Sequence, residues 1–83
     1  MVSTQSIRDK VLEKLPGARV EVKDLTGTND HFELTVVSPE FTGKPLMARH
    51  RLIYGILGNW VGVEIHALTL KAFTPDESKG EPQ

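Results

Sequence analysis

A chain of 83 residues without a single cysteine has to hold itself together by burial alone. No disulfide can staple it, and no thiolate can anchor a structural metal. A chain of this length buries roughly 60–65% of its unfolded surface, a core only just large enough to stand by itself. One domain is all it can build, and every apolar stripe must find its partner there. Hydrophobic content of 39% and charged content of 25% are those of a globular protein. Ten basic and eleven acidic residues leave a formal charge of -1, which gives no general attraction to nucleic acid or to an anionic membrane.

The stripes come in a definite order. Ser3 or Thr4 can cap a first helix, with Ser6 and Asp9 a second possible start. Ile7, Val11, Leu12 and Leu15 share one face of it, and Pro16-Gly17 stops it. Ala18, Val20 and Val22 alternate with Arg19, Glu21 and Lys23, the pattern of a half-buried strand. A polar loop, Asp24 to Asp30, leads to Phe32, Leu34 and Val36, which alternate with Glu33 and Thr35 in a second strand. The two strands are expected to pair antiparallel, and Ser38-Pro39 ends the second.

Pro45 suits the first turn of a second helix, in which Leu46, His50, Ile53 and Leu57 make one continuous face. His50 is read there as a core histidine satisfied by one hydrogen bond. Gly55 and Gly58 weaken the end of this helix, so Asn59 to Val61 is expected as a separate turn carrying Trp60 inward. A third strand follows over roughly His66 to Phe73, with Leu68, Leu70 and Ala72 on one face. Residues 1–75 are expected as one domain and 76–83 as a disordered tail, since Asp76 to Gln83 has no hydrophobic residue. Asp76 and Glu77, after Pro75, read as a helix-start cap and not as chemistry. The fold class is α+β, order α-β-β-α-(α)-β, a three-stranded sheet with helices packed on one face. The longest apolar stretches fall far short of a membrane span. Met1 to Ser6 lacks the regions of a signal peptide, so a cytoplasmic location is expected.

The chemistry available is narrow. Any transition metal must be met by imidazole nitrogen or carboxylate oxygen, and any thiolate at that metal must come from another molecule. Three histidines are present: His31, His50 and His66. His66 stands where the third strand begins, and His31 at a loop–strand junction on the solvent face shared with Glu33 and Thr35. Lys44, Arg49 and Arg51 make a small basic patch near the start of the second helix, a weak candidate for contact with an acidic partner or a phosphate. Gly55-Ile56-Leu57-Gly58 has the G-x-x-G form of a nucleic-acid clamp, but Ile56 and Leu57 read as core. No serine, lysine or carboxylate pair is spaced for catalysis, and the chain reads as a non-enzyme.

Three stretches carry a resemblance. They are His31-Phe32-Glu33-Leu34-Thr35-Val36-Val37-Ser38, then Phe41-Thr42-Gly43-Lys44-Pro45-Leu46-Met47-Ala48-Arg49-His50-Arg51-Leu52-Ile53-Tyr54, then His66-Ala67-Leu68-Thr69-Leu70-Lys71-Ala72-Phe73-Thr74-Pro75. Together the chain resembles the BolA family, and within it the short-loop bacterial branch of IbaG or YrbA type. The resemblance implies a class II KH-like fold and a non-enzymatic adaptor that pairs with a monothiol glutaredoxin. In such a pair a [2Fe-2S] cluster is shared: the glutaredoxin and a glutathione supply thiolates, and none is bound by the isolated chain. The family histidine at the start of the last strand falls on His66. The family's loop ligand is a cysteine in one branch and a histidine in another. The loop here offers no cysteine, which leaves His31 as the candidate. A KH-like nucleic-acid-binding transcriptional regulator, with DNA as partner, is the alternative function, and a homodimer stays open.

Overall fold

The computed structural model describes residues 2–25, 27 and 31–79. Helix α1 runs over Thr4–Lys14, strand β1 over Arg19–Asp24 and strand β2 over His31–Val37. A single 3-10 turn, Pro39–Phe41, leads to helix α2, Leu46–Leu57. A second 3-10 turn, Gly58–Trp60, precedes strand β3, Ala67–Phe73, and a short helix α3, Pro75–Lys79. The α+β class and the order α-β-β-α-β are as the patterns predict, and α3 follows in addition. Most of the loop after β1, residues 26 and 28–30, lies outside the described residues.

Local chemistry explains the boundaries. Ser3 caps α1: its hydroxyl accepts from Ser6 N–H at 3.1 Å, and the Ser6 hydroxyl accepts from Ser3 N–H at 2.7 Å. Pro45 is the N-cap of α2, where its missing N–H removes no helical bond. Gly58 ends α2 at φ +58 and ψ -130, a backbone conformation that a side chain would strain. The turn that follows leaves Trp60 half-buried against the core, with Lys10 Nζ 4.6 Å from its ring centroid.

The sheet order is β1-β2-β3, antiparallel between β1 and β2 and parallel between β2 and β3. Register aligns the apolar residues in rows across the strands: Val20 with Val36 and Ala72, then Val22 with Leu34 and Leu70. Phe32, Leu34, Val36, Ile7, Val11, Ile53 and Ile65 are fully buried between this face and the helices. Each large apolar side chain removed from water stabilises the fold by roughly 1.5–3 kcal/mol.

Helix α2 departs from the stripe that its sequence suggests. Ile53 and Leu57 are buried, but Leu46 is 60% exposed and His50 only half-buried. The buried position one turn before Ile53 belongs to Arg49, at 9% exposure. Arg49 can go inside because each of its three side-chain nitrogens finds an acceptor. Its Nε donates to Lys44 O at 2.8 Å, and its Nη1 to Ala72 O at 3.1 Å. Nη1 and Nη2 grip the Glu77 carboxylate at 2.5 and 3.1 Å, the two-pronged geometry that makes arginine–carboxylate pairs strong. Its guanidinium also lies 5.9 Å from the Phe41 ring centroid.

Glu77 is fixed at its own end by a second capping box. Thr74 N–H donates to Glu77 Oε1 at 2.9 Å, and Glu77 N–H donates to Thr74 Oγ1 at 3.2 Å. The expected cap at Asp76 and Glu77 is therefore present, but the tail expected from Asp76 is not: residues 75–79 are helical and tied to α2. Residues 80–83 lie outside the described residues.

The Arg49 guanidinium and the Thr74 N–H hold the Glu77 carboxyl down at about 2, against an ordinary 4.5. A depressed carboxyl stabilises the fold fully above its unfolded value and loses that contribution as pH falls. Water reaches about half of the Glu77 side chain, 47%, so screening tempers the effect. In urea unfolding at stepped pH, Glu77→Gln is expected to be less stable than wild type at neutral pH. The difference should shrink below pH 4.5 and vanish near pH 2. Curves that stay parallel down to pH 2 would show that the ion pair contributes nothing.

Candidate functional site

The parallel pairing of β2 with β3 brings distant parts of the chain to one end of the sheet. His31 opens β2 and is the Cα partner of Ala67, the first residue of β3. His66 precedes Ala67, so the two histidine Cα atoms stand on the order of 6 Å apart, from the ordinary strand spacing and rise. Both residues are exposed.

His31 stands at the loop–strand junction, as expected, and is tied there by its carbonyl, which accepts from Leu25 N–H at 2.8 Å. His66 is expected in the third strand, yet it sits in the bend before β3. Fully buried Ile65 on one side and the β3 ladder on the other keep that bend in place. The bend is tied further by Gly62 N–H donating to Ile65 O at 2.8 Å and by Ile65 N–H donating to Trp60 O at 2.8 Å.

The donor chemistry of this sheet end is two imidazoles and no thiol. Among the described residues no three or more His, Asp or Glu side chains converge as a metal-holding group. His31 and His66 could therefore give two nitrogen ligands to a metal centre whose remaining ligands came from another molecule. Such a division suits a cluster anchored by sulfur at its other iron.

The remaining candidates divide. Arg49 leaves the expected basic patch, because its charge is spent inside on Glu77 and on backbone carbonyls. Lys44 and Arg51 stay exposed. His50 is half-buried and not a core residue, because Arg49 takes the inward place on α2. The G-x-x-G segment does not present its middle pair: Leu57 is 1% exposed and Ile56 packs against the core. Glu77 is the residue that sequence reasoning underrates. The signal for it is Thr74-Pro75-Asp76-Glu77, a capping box that places an acid where an inward arginine can meet it. No helix among the described residues is long and apolar enough to cross a membrane.

Comparison with known proteins bears on this geometry. The BolA family model, described as BolA-like protein, matches residues 5–77. The UV-induced protein uvi31 of Schizosaccharomyces pombe is 45% identical over 60 residues, 70% of this chain and 59% of that protein. The DNA-binding transcriptional regulator BolA of Escherichia coli is 35% identical over 85 residues, covering 89% of this chain and 81% of that protein. Among solved structures, a BolA protein homologue from Coxiella burnetii superposes with a TM-score of 0.79 at 39% identity, covering 95% of this chain and 99% of that one.

Because His50 is half-buried, truncating it opens no sealed cavity. His50→Ala is expected to destabilise by under about 1 kcal/mol, whereas a truly core site such as Phe32→Ala should cost about 3–5 kcal/mol. Chemical denaturation of both variants checks this. A loss at His50 comparable with that at Phe32 would restore the histidine to the core.

Proposed function

The chain belongs to the BolA family, and we propose that it works as a non-enzymatic adaptor giving histidine ligation to a [2Fe-2S] cluster shared with a monothiol glutaredoxin. The observation that carries this reading is the register that sets His31 beside Ala67, the residue after His66, so that two exposed histidines stand at the same end of adjacent strands. Two imidazoles and no cysteine make half of a coordination set. The complementary half, thiolates from the glutaredoxin and a glutathione, has to arrive with the partner. When bound, such a cluster supplies electron-transfer and iron-handling chemistry that the side chains lack. The chain's own part is to hold one nitrogen ligand at the start of β2 and one in the bend before β3, and to dock the partner. His66 is the first ligand and His31 the second.

A nucleic-acid-binding regulator is the competing class, suggested by the name of the Escherichia coli relative. The balance of charge, the buried Arg49 and the core position of Leu57 all weigh against it.

The test is to mix the protein anaerobically with a [2Fe-2S]-loaded monothiol glutaredoxin and follow visible absorption and circular dichroism. Wild type is expected to change the cluster spectrum. His66→Ala and His31→Ala should each shift it back toward glutaredoxin alone, and the double variant fully. Since both side chains are exposed, neither change should move the melting temperature by more than ~0.5 kcal/mol implies. Exchanging thiolate for imidazole also raises a cluster's potential, from about -400 mV in all-thiolate plant-type centres to roughly -150 to +300 mV in Rieske-type ones. A mixture whose spectrum and potential are unchanged by the double variant would refute the ligand assignment.

A further inference from the structure

We propose that the outer edge of β1 is a strand-addition site for an extended, carboxylate-bearing peptide segment of a partner protein. The hydrogen-bond pattern of the β1–β2 pair decides which backbone groups of β1 face outward. Leu25 N–H donates to His31 O across the β1–β2 pair, so that pair is a mutually bonded one and the alternation upstream follows. Lys23, Glu21 and Arg19 turn their backbone groups toward β2, while Val20 and Val22 turn theirs away from the sheet.

The edge of β3 is arranged differently. Ser38 N–H donates to Phe73 O at 3.0 Å, so Phe73, Lys71 and Thr69 face β2, and Ala72, Leu70 and Leu68 face outward. There Ala72 O is taken by Arg49 Nη1. A buried cation thus plugs one end of that edge, a device that discourages pairing. Among the described residues no side chain bonds the outward groups of Val20 or Val22.

Those groups open on a groove of about 510 Å3. Residues 20–23 of β1 form one wall, and Thr4, Gln5 and Arg8 of α1 form the other. An edge strand facing a helix across a groove is the arrangement in which an extended peptide adds as a further strand. Val20 and Val22 would supply four backbone hydrogen bonds to it. A second copy of this chain fits less well. Helix α1 packs on β1, so antiparallel edge-to-edge pairing of two copies would bring two α1 helices onto the same face of the joined sheet, where each must make room for the other.

Charge selects the occupant. Arg8 lines the helix wall and Lys23 the strand wall, with Arg19 exposed on the same sheet face as Lys23. An antiparallel segment with carboxylates opposite Lys23 and Arg19 meets opposite charge across the strands. A further carboxylate on the helix side faces Arg8. Glu21 lies between Lys23 and Arg19 and favours an uncharged hydroxyl residue opposite it.

The probe is an end-capped synthetic peptide, Thr-Glu-Val-Thr-Asp-Glu, with Thr-Lys-Val-Thr-Lys-Lys as the charge-reversed control. Titration into the full chain is followed by amide NMR shifts and amide hydrogen exchange. The acidic peptide is expected to shift the amides of Val20 and Val22 and to slow their exchange, leaving the already bonded amides of Glu21 and Lys23 little protected beyond their free state. Arg8→Glu with Lys23→Glu, both exposed, should keep the melting temperature and weaken binding by about tenfold or more. Three results would overturn the proposal: no binding at millimolar peptide, equal binding of the control, or shifts centred on β3. So would sedimentation showing a dimer that Arg8→Glu and Lys23→Glu abolish, since a second copy would then be the occupant.

Discussion

One buried guanidinium joins four parts of this small protein. Arg49 leaves α2 and bonds the loop before it at Lys44, the end of β3 at Ala72, and α3 at Glu77. A buried charge without partners would be among the costliest errors a core could contain. Here it is tolerable because each of its nitrogens has an acceptor: among the described residues no buried side-chain nitrogen or oxygen lacks a partner. The arrangement converts a short terminal helix into part of the domain. It also sets the inward face of α2, and so decides that Ile53 and Leu57, not Leu46 and His50, pack on the sheet.

That interaction is also where sequence reasoning falls short. Alternation over residues 18–22 and 32–36 leads directly to β1 and β2, and Pro16-Gly17, Ser38-Pro39 and Pro45 mark their boundaries as chain chemistry requires. Periodicity treats each element separately, however. On α2 it prefers to bury Leu46 and His50 and to expose Arg49, because the stripe is scored without knowing what faces it. The acid that reverses the preference lies 28 residues away, in a segment with no hydrophobic residue. The two departures, an arginine inside and a helix over residues 75–79, are one event seen from its two ends. Neither can be read while the other is missed.

The candidate site was legible in its members more than in its geometry. His31 and His66 are conspicuous in a chain without thiols. What no local pattern contains is the parallel register that sets His31 against Ala67. That register depends on the crossover through α2, and therefore on how the helix packs. The basic patch shows the opposite case: Lys44, Arg49 and Arg51 look alike in sequence, yet only two of them face water.

The parallel pairing has a consequence for when the site exists during folding. The β1–β2 hairpin closes a short loop, whereas β3 can dock only after the chain has passed through α2 and the Trp60 turn. A chain that has formed only the hairpin carries His31 in place and His66 adrift. The two histidines therefore reach neighbouring positions only in the completed domain, once the last strand has found its place.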